Sequence, residues 1–581
     1  MSKAQEKLED YHVRVAVLGS VDSGKSTTIG YFANGILDDG NGKARNTVAK
    51  HPHERETGRT SDISNHALVR TITMKKKGEE EKTVRKIVTL SDQCGHAGYL
   101  KTTLWGTFAL RPHVNVICVA SNRGVLEMTN EHLGITHAMR KPFFVLYTKV
   151  DYCWSDTIQN EELFNINLKS IAKKLKKLDK RPVLVNDFAT LKLFVEIEDM
   201  QGKGYTAYTD LLRQHKMNKI SSDKYNKELK SLMAEHKYSK SEYDKFNAKL
   251  KAFNDIQEKY NNDEMEKEDY EKQVANISKE HNFDHAKYYE LTEKFNALKK
   301  KHLKKFLHYI KTMSKNKDYN KIPIICTCNR NGYYLDVVEE ALLSFEGKAP
   351  WKEEEKEDSN GSVYYIDSIF NVKGVGSVVS GILKGDMISL KLDKKKRKQL
   401  YMGPFGNKYY PIEVKSMHNE IREDIKELRH GESGCLAFRF TKETPTENLR
   451  KGMVVVSDLE YAKDHTCWQF IADTMIAHHP TSISTGYCAK AHIGSAREGV
   501  RFRILKNKSN DKNKTMSTGD VGTIQFHCIQ RPMFIENDAC CAFRESTAHA
   551  FGWIEKIIKH DNAKFRKHGA KKDKAKEIEV L

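Results

Sequence analysis

The stretch Gly19–Thr27 constrains this chain more than any other part of it. It reads Gly-Ser-Val-Asp-Ser-Gly-Lys-Ser-Thr, follows the largely apolar run Val13–Leu18, and fits the pattern G-x-x-x-x-G-K-[ST]. The run predicts a buried parallel strand, and the glycines let the backbone curl so that successive N–H groups face a phosphate. A helix beginning near Lys25 would add the positive end of its dipole. The sequence therefore predicts an α/β domain built around a phosphate-binding loop.

Length, charge and cysteine usage limit what surrounds this loop. At 581 residues the chain is too long for one core, so three or four domains are expected. The 98 Lys and Arg against 78 Asp and Glu favour a phosphate-bearing partner such as nucleic acid over a merely solvated basic surface. The 11 cysteines form no C-x-x-C pair, which predicts reduced core residues and no zinc site. No stretch approaches the roughly 18 uncharged apolar residues of a membrane span, so we expect a cytoplasmic protein.

Two further motifs follow at the intervals typical of βα units in a doubly wound sheet. A predicted strand at Lys86–Leu90 leads into Asp92-Gln93-Cys94-Gly95-His96, which offers a carboxylate near Mg²⁺ and a glycine N–H near a γ-phosphate. Strands are also predicted at Val114–Ala120 and Phe143–Tyr147, and the second ends in Thr148-Lys149-Val150-Asp151. An aspartate there can accept from N1–H and N2–H₂ of guanine, whereas adenine offers no such donors. The order of the three motifs predicts a GTPase.

The metal and the remaining base contact follow from the same chemistry. Lys25 is expected to reach the β- and γ-phosphates, and Ser26 is expected to ligate Mg²⁺ because a hard cation prefers oxygen. A strand at Ile322–Ile325 leads into Cys326–Asn329, where a backbone N–H is expected to meet the guanine O6. The polar segment Asp38–Asn65 is either a surface loop or a switch that orders only when a γ-phosphate is present.

Longer stretches around these motifs carry a family resemblance. They are Gly-Arg-Thr-Ser at 58–61, Asp-Gln-Cys-Gly-His-Ala-Gly-Tyr-Leu-Lys-Thr-Thr at 92–103 and Met-Thr-Asn-Glu-His-Leu-Gly at 128–134. The chain resembles translational GTPases of the elongation factor Tu and elongation factor 1-alpha superfamily, and most of all their GTP-binding protein 1 and 2 branch. The likeness resumes at Asp367 and continues to about Gly552.

The resemblance implies roles for single residues. Thr60 would bind Mg²⁺ from an ordered switch, and His96 would position the attacking water beside the γ-phosphate. Val21 and Asp22 would form the inner wall of the catalytic pocket. The predicted site then comprises catalytic His96, Gly95, Lys25, Asp22 and Val21; GTP-binding Gly19, Ser20, Val21, Asp22, Ser23, Gly24, Lys25, Ser26, Thr27, Thr148, Lys149, Asp151, Cys328 and Asn329; and metal-binding Ser26, Thr60 and Asp92.

Three positions depart from the family pattern. Thr148 stands where the superfamily has an asparagine that braces the P-loop, so looser guanine binding is expected. Arg59 stands, opposite Val21, where many relatives carry an apolar residue beside the catalytic histidine. Cys328 replaces a serine of the last guanine motif, at little cost if the backbone makes the contact.

The region between Tyr205 and Lys321 contains neither proline nor glycine and is rich in Lys, Glu, Asn, Tyr and Leu, which predicts long helices. A loose unit recurs at Ser221–Tyr225, Ser239–Tyr243 and Glu266–Tyr270. We expect three or four antiparallel helices, inserted between the fourth strand region and the last strand of the GTPase sheet. They are either a solvated spacer or an arm that contacts RNA or a partner protein.

The C-terminal half predicts two small antiparallel β-barrels. Tyr364–Leu383 carries Gly374, Gly376 and Gly381 among valines, as expected of short bending strands. Lys394–Lys398 is a basic hairpin tip that either touches RNA phosphates or solubilises a turn. The expected divisions are an N-terminal tail at 1–10, a P-loop GTPase domain at 11–350 with a helical insertion at about 200–318, a linker at 351–362, β-barrel domains at 363–460 and 464–556, and a disordered basic tail at 557–581.

The sequence therefore predicts a monomeric GTP-hydrolysing switch that uses GTP/GDP and Mg²⁺. Resemblance implies that it delivers or monitors tRNA on a ribosome, with a possible protein partner at the insertion and neither membrane nor DNA as partner. Two alternatives stay open: a GTP-dependent adaptor in mRNA decay or ribosome rescue, and a GTP-gated protein-interaction scaffold.

Overall fold

The computed structural model describes residues 9–57, 60, 62–74, 82–155, 158–201, 211, 222–236, 240–261, 265–281, 283–316, 320–345, 361–392, 397–442, 445, 448–509, 515–545, 548–558 and 579–580. These residues form an α/β unit with a long helical insertion, followed by two closed antiparallel barrels. The predicted fold class is confirmed.

The α/β unit is organised around one twisted sheet. Its strands are β1 (Glu9–Gly19), β2 (Ser64–Met74), β3 (Lys82–Asp92), β4 (Val114–Ala120), β5 (Phe143–Thr148), β8 (Arg181–Leu184) and β9 (Lys321–Cys326), while β6 (Trp154–Ser155) and β7 (Ile158–Gln159) form a separate hairpin. The strand order is β2-β3-β1-β4-β5-β9-β8. All neighbours are parallel except β2, which runs antiparallel to β3. Strands β4 and β5 are buried along their whole length, as expected of a parallel sheet covered on both faces.

Sequence analysis misses two strands of this sheet, β2 and β8. Both lie at its edges, where only one side of a strand is paired and the apolar pattern is weaker. Strand β2 falls partly in the segment predicted as a polar loop or switch. Strand β8 has four residues, one of them Pro182, and is only partly buried, so it lacks the apolar run that marks the central strands.

Helices cover the sheet and form the insertion. They are α1 (Lys25–Asn34), α2 (Lys43–Asn46), α3 (Pro52–Thr57), α4 (Leu100–Ala109), α5 (Glu127–Ala138), α6 (Glu161–Lys177), α7 (Phe188–Gln201), α8 (Ser222–His236), α9 (Lys240–Asn261), α10 (Lys267–His281), α11 (His285–Asn316) and α12 (Leu335–Ser344), with short 3₁₀ turns at Ala97–Tyr99 and Val150–Tyr152. Helices α8, α9 and α10 begin within one residue of the three predicted repeat units. None of the described helices is long and apolar enough to cross a membrane.

The two barrels follow in sequence. The first contains β10 (Ser362–Val372), β11 (Gly376–Gly385), β12 (Ile388–Ser389), β13 (Leu400–Phe405), β14 (Lys408–Asn419), β15 (Asp424–Ile425), β16 (Glu427–Leu428), β17 (Ser433–Phe440) and β18 (Val454–Val456). It closes in the order β13-β18-β10-β11-β17-β14 because β13 also pairs with β14. Helix α13 (Leu459–His465) leads to the second barrel. Of the predicted basic tip, Arg397 and Lys398 are described, whereas 394–396 lie outside the described residues.

The second barrel closes in the order β20-β25-β23-β22-β27-β28. Its part of the chain contains β19 (Thr466–Cys467), β20 (Gln469–His478), β21 (Ser482–Ser484), β22 (Cys488–Ile493), β23 (Ala496–Asn507), β24 (Thr515–Ser517), β25 (Val521–Cys528), β26 (Met533–Phe534), β27 (Cys540–Glu545) and β28 (Ala548–Ile558). Most of the predicted disordered tail lies outside the described residues, but Glu579–Val580 forms a short strand, β29, beside β14.

Helices α4 and α5 dock the α/β unit onto the second barrel. Leu104 and Phe108 of α4 share an apolar cluster with Ala542 and Phe551 of the barrel. The Glu131 carboxylate lies 3.0 Å from Nε2 of His549 at the same interface. Since α4 follows directly on the Asp92–His96 loop, the docked helix belongs to the segment that carries a predicted site motif.

Glu536 joins all three units. Its carboxylate lies 2.9 Å from Lys384 Nζ of the first barrel and 3.9 Å from Arg111 of the α/β unit, and it accepts a hydrogen bond from the Tyr461 hydroxyl at 3.0 Å. Arg111 also stacks over the Tyr365 ring at 3.8 Å. Burial alone would raise the pKa of Glu536, but Lys384 and Arg111 outweigh it and lower the pKa to about 2.

We expect Glu536→Gln to destabilise the docked arrangement, because removing one partner of a buried ion pair costs about 3–5 kcal/mol. Since the folded pKa lies below the ordinary carboxyl value, this stabilisation is present above about pH 4.5 and is lost as the pH falls towards 2. Thermal melts should therefore show a much lower melting temperature for Glu536→Gln than for the unmutated chain at pH 7. This difference should become smaller below pH 4.5.

The matched control is Glu460→Gln. Its carboxylate is 83% exposed in a pair with Lys463, and exposed pairs contribute little. Equal melting shifts for the two variants would show that Glu536 is not a junction between the units.

Candidate nucleotide site

The loop between β1 and α1 has the backbone geometry of a phosphate cradle. Gly19 and Gly24 adopt φ values of 145° and 84°, which L side chains rarely adopt. A Cβ on Gly19 would lie 2.4 Å from the carbonyl oxygen of Cys118, so the close packing of β1 on β4 also requires glycine there. Helix α1 begins at Lys25, and its free N–H groups therefore face the loop.

Lys25 lies inside this cradle. Its side chain is 5% exposed, and Nζ donates to the carbonyl oxygen of Ser20 at 2.8 Å. Burial lowers the pKa of Lys25, and the nearby Asp92 carboxylate opposes that shift. A buried ammonium with one carbonyl partner can still donate to phosphate oxygens.

The three predicted metal ligands converge beside the loop. The Ser26 hydroxyl donates to Oδ2 of Asp92 at 2.6 Å and lies 3.2 Å from the Thr60 hydroxyl, which is itself 3.2 Å from Oδ2. Burial raises the pKa of Asp92, and Oδ1 has no hydrogen-bond partner among the described residues. Two hydroxyls and a buried carboxylate with an unpaired oxygen are a donor set that fits Mg²⁺.

The predicted catalytic residues line the same cleft. Val21, Asp22, Lys25, Gly95 and His96 all face it. A Cβ on Gly95 would lie 2.5 Å from Lys25 Nζ and 2.8 Å from the backbone N of Val21, so this glycine packs directly on the loop. His96 is exposed at the mouth of the cleft, and its Nδ1 accepts from the Gly98 N–H at 3.1 Å, which leaves Nε2 on the other side of the ring.

Thr148 braces the P-loop although it replaces an amide. Its hydroxyl is fully buried and donates to the carbonyl oxygen of Ser23 at 2.8 Å. Nδ2 of Asn329 donates to the Thr28 hydroxyl at 3.0 Å, so a second link joins the end of β9 to α1. The Thr148 hydroxyl therefore makes the contact with the P-loop that an asparagine was expected to make, and the Asn329 amide supports α1 beside it.

The residues predicted to contact guanine lie at the ends of β5 and β9. The Asp151 carboxylate is 3.7 Å from Arg330, and Lys149 lines the nucleotide cleft in a left-handed backbone conformation with φ 59°. The N–H of Cys328 donates to the Tyr333 carbonyl at 3.2 Å, so this N–H already has a partner within the fold. Burial raises the pKa of the Cys328 thiol well above its ordinary value.

Arg45 lines the cleft but was not predicted from the sequence. Arg59, which was predicted to lie beside the catalytic histidine, is outside the described residues. Arg45 lines the cleft from α2, and its Nε is buried without a hydrogen-bond partner among the described residues. Helix α2 packs so tightly on α1 that a Cβ on Gly30 would lie 2.2 Å from the Ala44 carbonyl oxygen. A glycine inside α1, Gly30, is the sequence signal for this close packing, but it does not identify Arg45.

These motifs match a known family. The elongation factor Tu GTP binding domain family matches residues 10–346, more than half of the chain. The chain belongs to this family. The nucleotide that the site serves is accordingly GTP or GDP, and the match supports hydrolysis of GTP by this domain.

Relatives extend the likeness beyond the GTP-binding domain. The chain is 28% identical to GTP-binding protein 1 of Xenopus laevis over 564 residues, which cover 95% of this chain but only 64% of that protein. It is 23% identical to GTP-binding protein 2 of Mus musculus, covering 96% of this chain and 71% of that protein. The structure of translation elongation factor SelB from Methanococcus maripaludis with the GTP analogue GppNHp superposes with a TM-score of 0.50 and 13% identity, covering 95% and 80% of the two chains. This likeness shows the shared fold.

We expect Thr148→Val to weaken GTP and GDP binding together. The change keeps the side-chain shape but leaves the Ser23 carbonyl without this donor, at a cost of roughly 1–3 kcal/mol, or about 5- to 150-fold in affinity. Fluorescence titration with labelled nucleotides measures the effect. Thr148→Ser keeps the hydroxyl and serves as control, and unchanged affinity in the valine variant would refute the bracing role.

Proposed function

We propose that this chain is an elongation-factor-like GTPase of translation that hydrolyses GTP to GDP and phosphate and acts as a nucleotide-dependent switch. The convergence of Ser26, Thr60 and Asp92 carries the proposal. Thr60 comes from the segment between α1 and β2, so the segment predicted to sense a γ-phosphate lies against the P-loop helix and the β3 carboxylate. A site of this kind reports the state of its nucleotide through the position of that segment.

The chain's own groups would lower the barrier mainly by position and charge. P-loop N–H groups and Lys25 neutralise the β- and γ-phosphates, while Gly95 holds the γ-phosphate through its N–H and His96 orients the attacking water. Mg²⁺, held by Ser26, Thr60 and Asp92, would supply further charge neutralisation. Arg45, which lines the same cleft, adds a further cation. Val21 and Asp22 close the inner side of the pocket.

The switch would reach the barrels through α4. The segment from Asp92 to His96 runs through one 3₁₀ turn into α4, which packs on Ala542 and Phe551 of the second barrel. A movement of this loop on loss of the γ-phosphate therefore changes the packing of the docked helix. The expected partners are tRNA and the ribosome in the cytoplasm. The likeness to elongation factor 1-alpha of Methanobrevibacter smithii, 29% identical over 171 residues, which cover 28% of this chain and 37% of that protein, supports a role in translation.

Asp151→Asn is expected to change the preferred base. Xanthine has a carbonyl oxygen where guanine has its N2 amine, and an asparagine amide donates to a carbonyl whereas a carboxylate cannot. Two hydrogen bonds to a charged group are worth roughly 1.5–3 kcal/mol each, so GTP affinity should fall at least ~100-fold while XTP affinity rises. Isothermal titration of GTP, XTP and ATP with both proteins measures this. ATP binding equal to GTP in the unmutated chain would sink the guanine assignment.

His96→Ala should abolish ribosome-stimulated turnover while leaving GTP affinity unchanged. Loss of a group that positions and polarises the nucleophile costs about 10²–10⁴ in rate, and His96 makes no contact that holds the P-loop. His137→Ala, an exposed histidine of α5, is the matched control. Full activity in the His96 variant would refute its role.

Purified ribosomes also separate the alternatives. A translation factor predicts faster GTP turnover with ribosomes and protection of aminoacyl-tRNA from deacylation by the GTP form. Protection without stimulation would instead support an RNA adaptor in decay or rescue, and the absence of both would support a protein-interaction scaffold.

A further inference from the structure

The charge of the helical insertion is concentrated on one helix. Helices α8, α9 and α10 carry three, five and three lysines against three, four and four acidic residues. Helix α11 carries nine lysines against two glutamates, and no acidic residue occurs from Lys294 to its end at Asn316. A solvated spacer would be expected to mix both signs along its length, as the three other helices do.

The basic part of α11 is held rigidly by its opposite face. Phe306, Ile310 and Met313 are buried in the core of the α/β unit, and Phe306 packs edge-on against Phe144 of β5 at 5.3 Å. Nζ of Lys299 lies 2.6 Å from the Asp336 carboxylate. The outward side chains therefore project from a fixed scaffold.

Lys301, Lys304 and Lys311 are exposed on this outward face. Their spacing of three and seven residues places them along one side of the helix, about one turn of 5.4 Å or two turns apart. A row of cations at this spacing can face successive phosphates of a nucleic-acid strand.

Helix α6 is also basic but lies on the other face of the sheet, because its Phe164 packs on Tyr147 of β5 whereas Phe306 of α11 packs on Phe144 of the same strand. Its stretch Leu163–Lys177 contains five lysines and no acidic residue, and Lys173 and Lys177 are exposed. Arg181 of β8 pairs in register with Lys321 of β9. Both helices therefore end near the start of these two parallel strands, but their outward lysines form two separate rows, one on each face of the sheet.

We propose that the outward row Lys301, Lys304 and Lys311 of α11 binds the phosphate backbone of double-stranded RNA. Among the described residues of α11, no large exposed aromatic side chain lies between these lysines. Single-stranded RNA is usually bound by aromatic rings that stack on its bases, whereas a double helix presents mainly its phosphates. The apolar face of α11 is occupied by the protein core, so the helix has no free apolar face to insert into a lipid surface. The proposal deepens the function given above but stands on charge and position, independent of GTP hydrolysis.

The test is binding of a fluorescent RNA hairpin with a 20-base-pair stem to the full chain, measured by anisotropy between 50 and 200 mM salt. The variant K301Q/K304Q/K311Q should bind at least tenfold more weakly at 50 mM and should lower the slope of log affinity against log salt by about 2, since each phosphate contact contributes roughly 0.7–0.9. The same three positions changed to arginine should restore the affinity.

Two matched variants complete the design. K251Q/K259Q/K272Q removes three exposed lysines from α9 and α10 and should change the affinity less than twofold. The same is expected of K173Q/K177Q on α6, whose lysines lie on the other face of the sheet. GTP titration of every variant checks folding and separates this proposal from the proposed function. Equal losses in the α11 variant and in either control variant, no loss in the α11 variant, or binding to phosphatidylserine vesicles without binding to RNA would overturn the proposal.

Discussion

The parallel pairing of β1 with β3 is the constraint on which the rest of the structure depends. Val17 lies opposite Asp92 in this register, so the carboxylate at the end of β3 meets Ser26 at the start of α1. A shift of this register by one residue would turn Asp92 away from the P-loop. It would also move every side chain of β3 to the other face of the sheet. The glycines of the loop satisfy the backbone geometry that this close approach requires.

The loop Asp92–His96 connects the nucleotide site to the barrels. It leads into α4, whose apolar face is shared with the second barrel, while Arg111, Lys384 and Glu536 join the three units by charge. The three units are therefore held together by an apolar contact and by ion pairs around Glu536, while each unit keeps its own hydrophobic core. The Asp92–His96 loop and the helix at the barrel interface thus belong to one continuous segment of chain.

The sequence predicted the parts of the fold whose signals are local. The P-loop, the central strands and the starts of the insertion helices follow from glycine spacing, apolar runs and recurring units. Edge strands β2 and β8 were missed because half-exposed strands lack a continuous apolar run. The role of the helical insertion stayed open between spacer and arm, because the sequence does not show which face of α11 is covered by the core of the α/β unit.

By itself, the sequence determined which chemical groups this protein can bring to a nucleotide: the loop amides, Lys25, the hydroxyls of Ser26 and Thr60, Asp92, and Asp151 as the proposed base contact. Only the tertiary structure decided how they are supported. It showed that the Thr148 hydroxyl reaches the Ser23 carbonyl and that Arg45 lines the cleft from a helix packed on α1. The reason is physical: motif spacing records covalent neighbours, whereas hydrogen bonds and charge surfaces form between residues that only folding brings together.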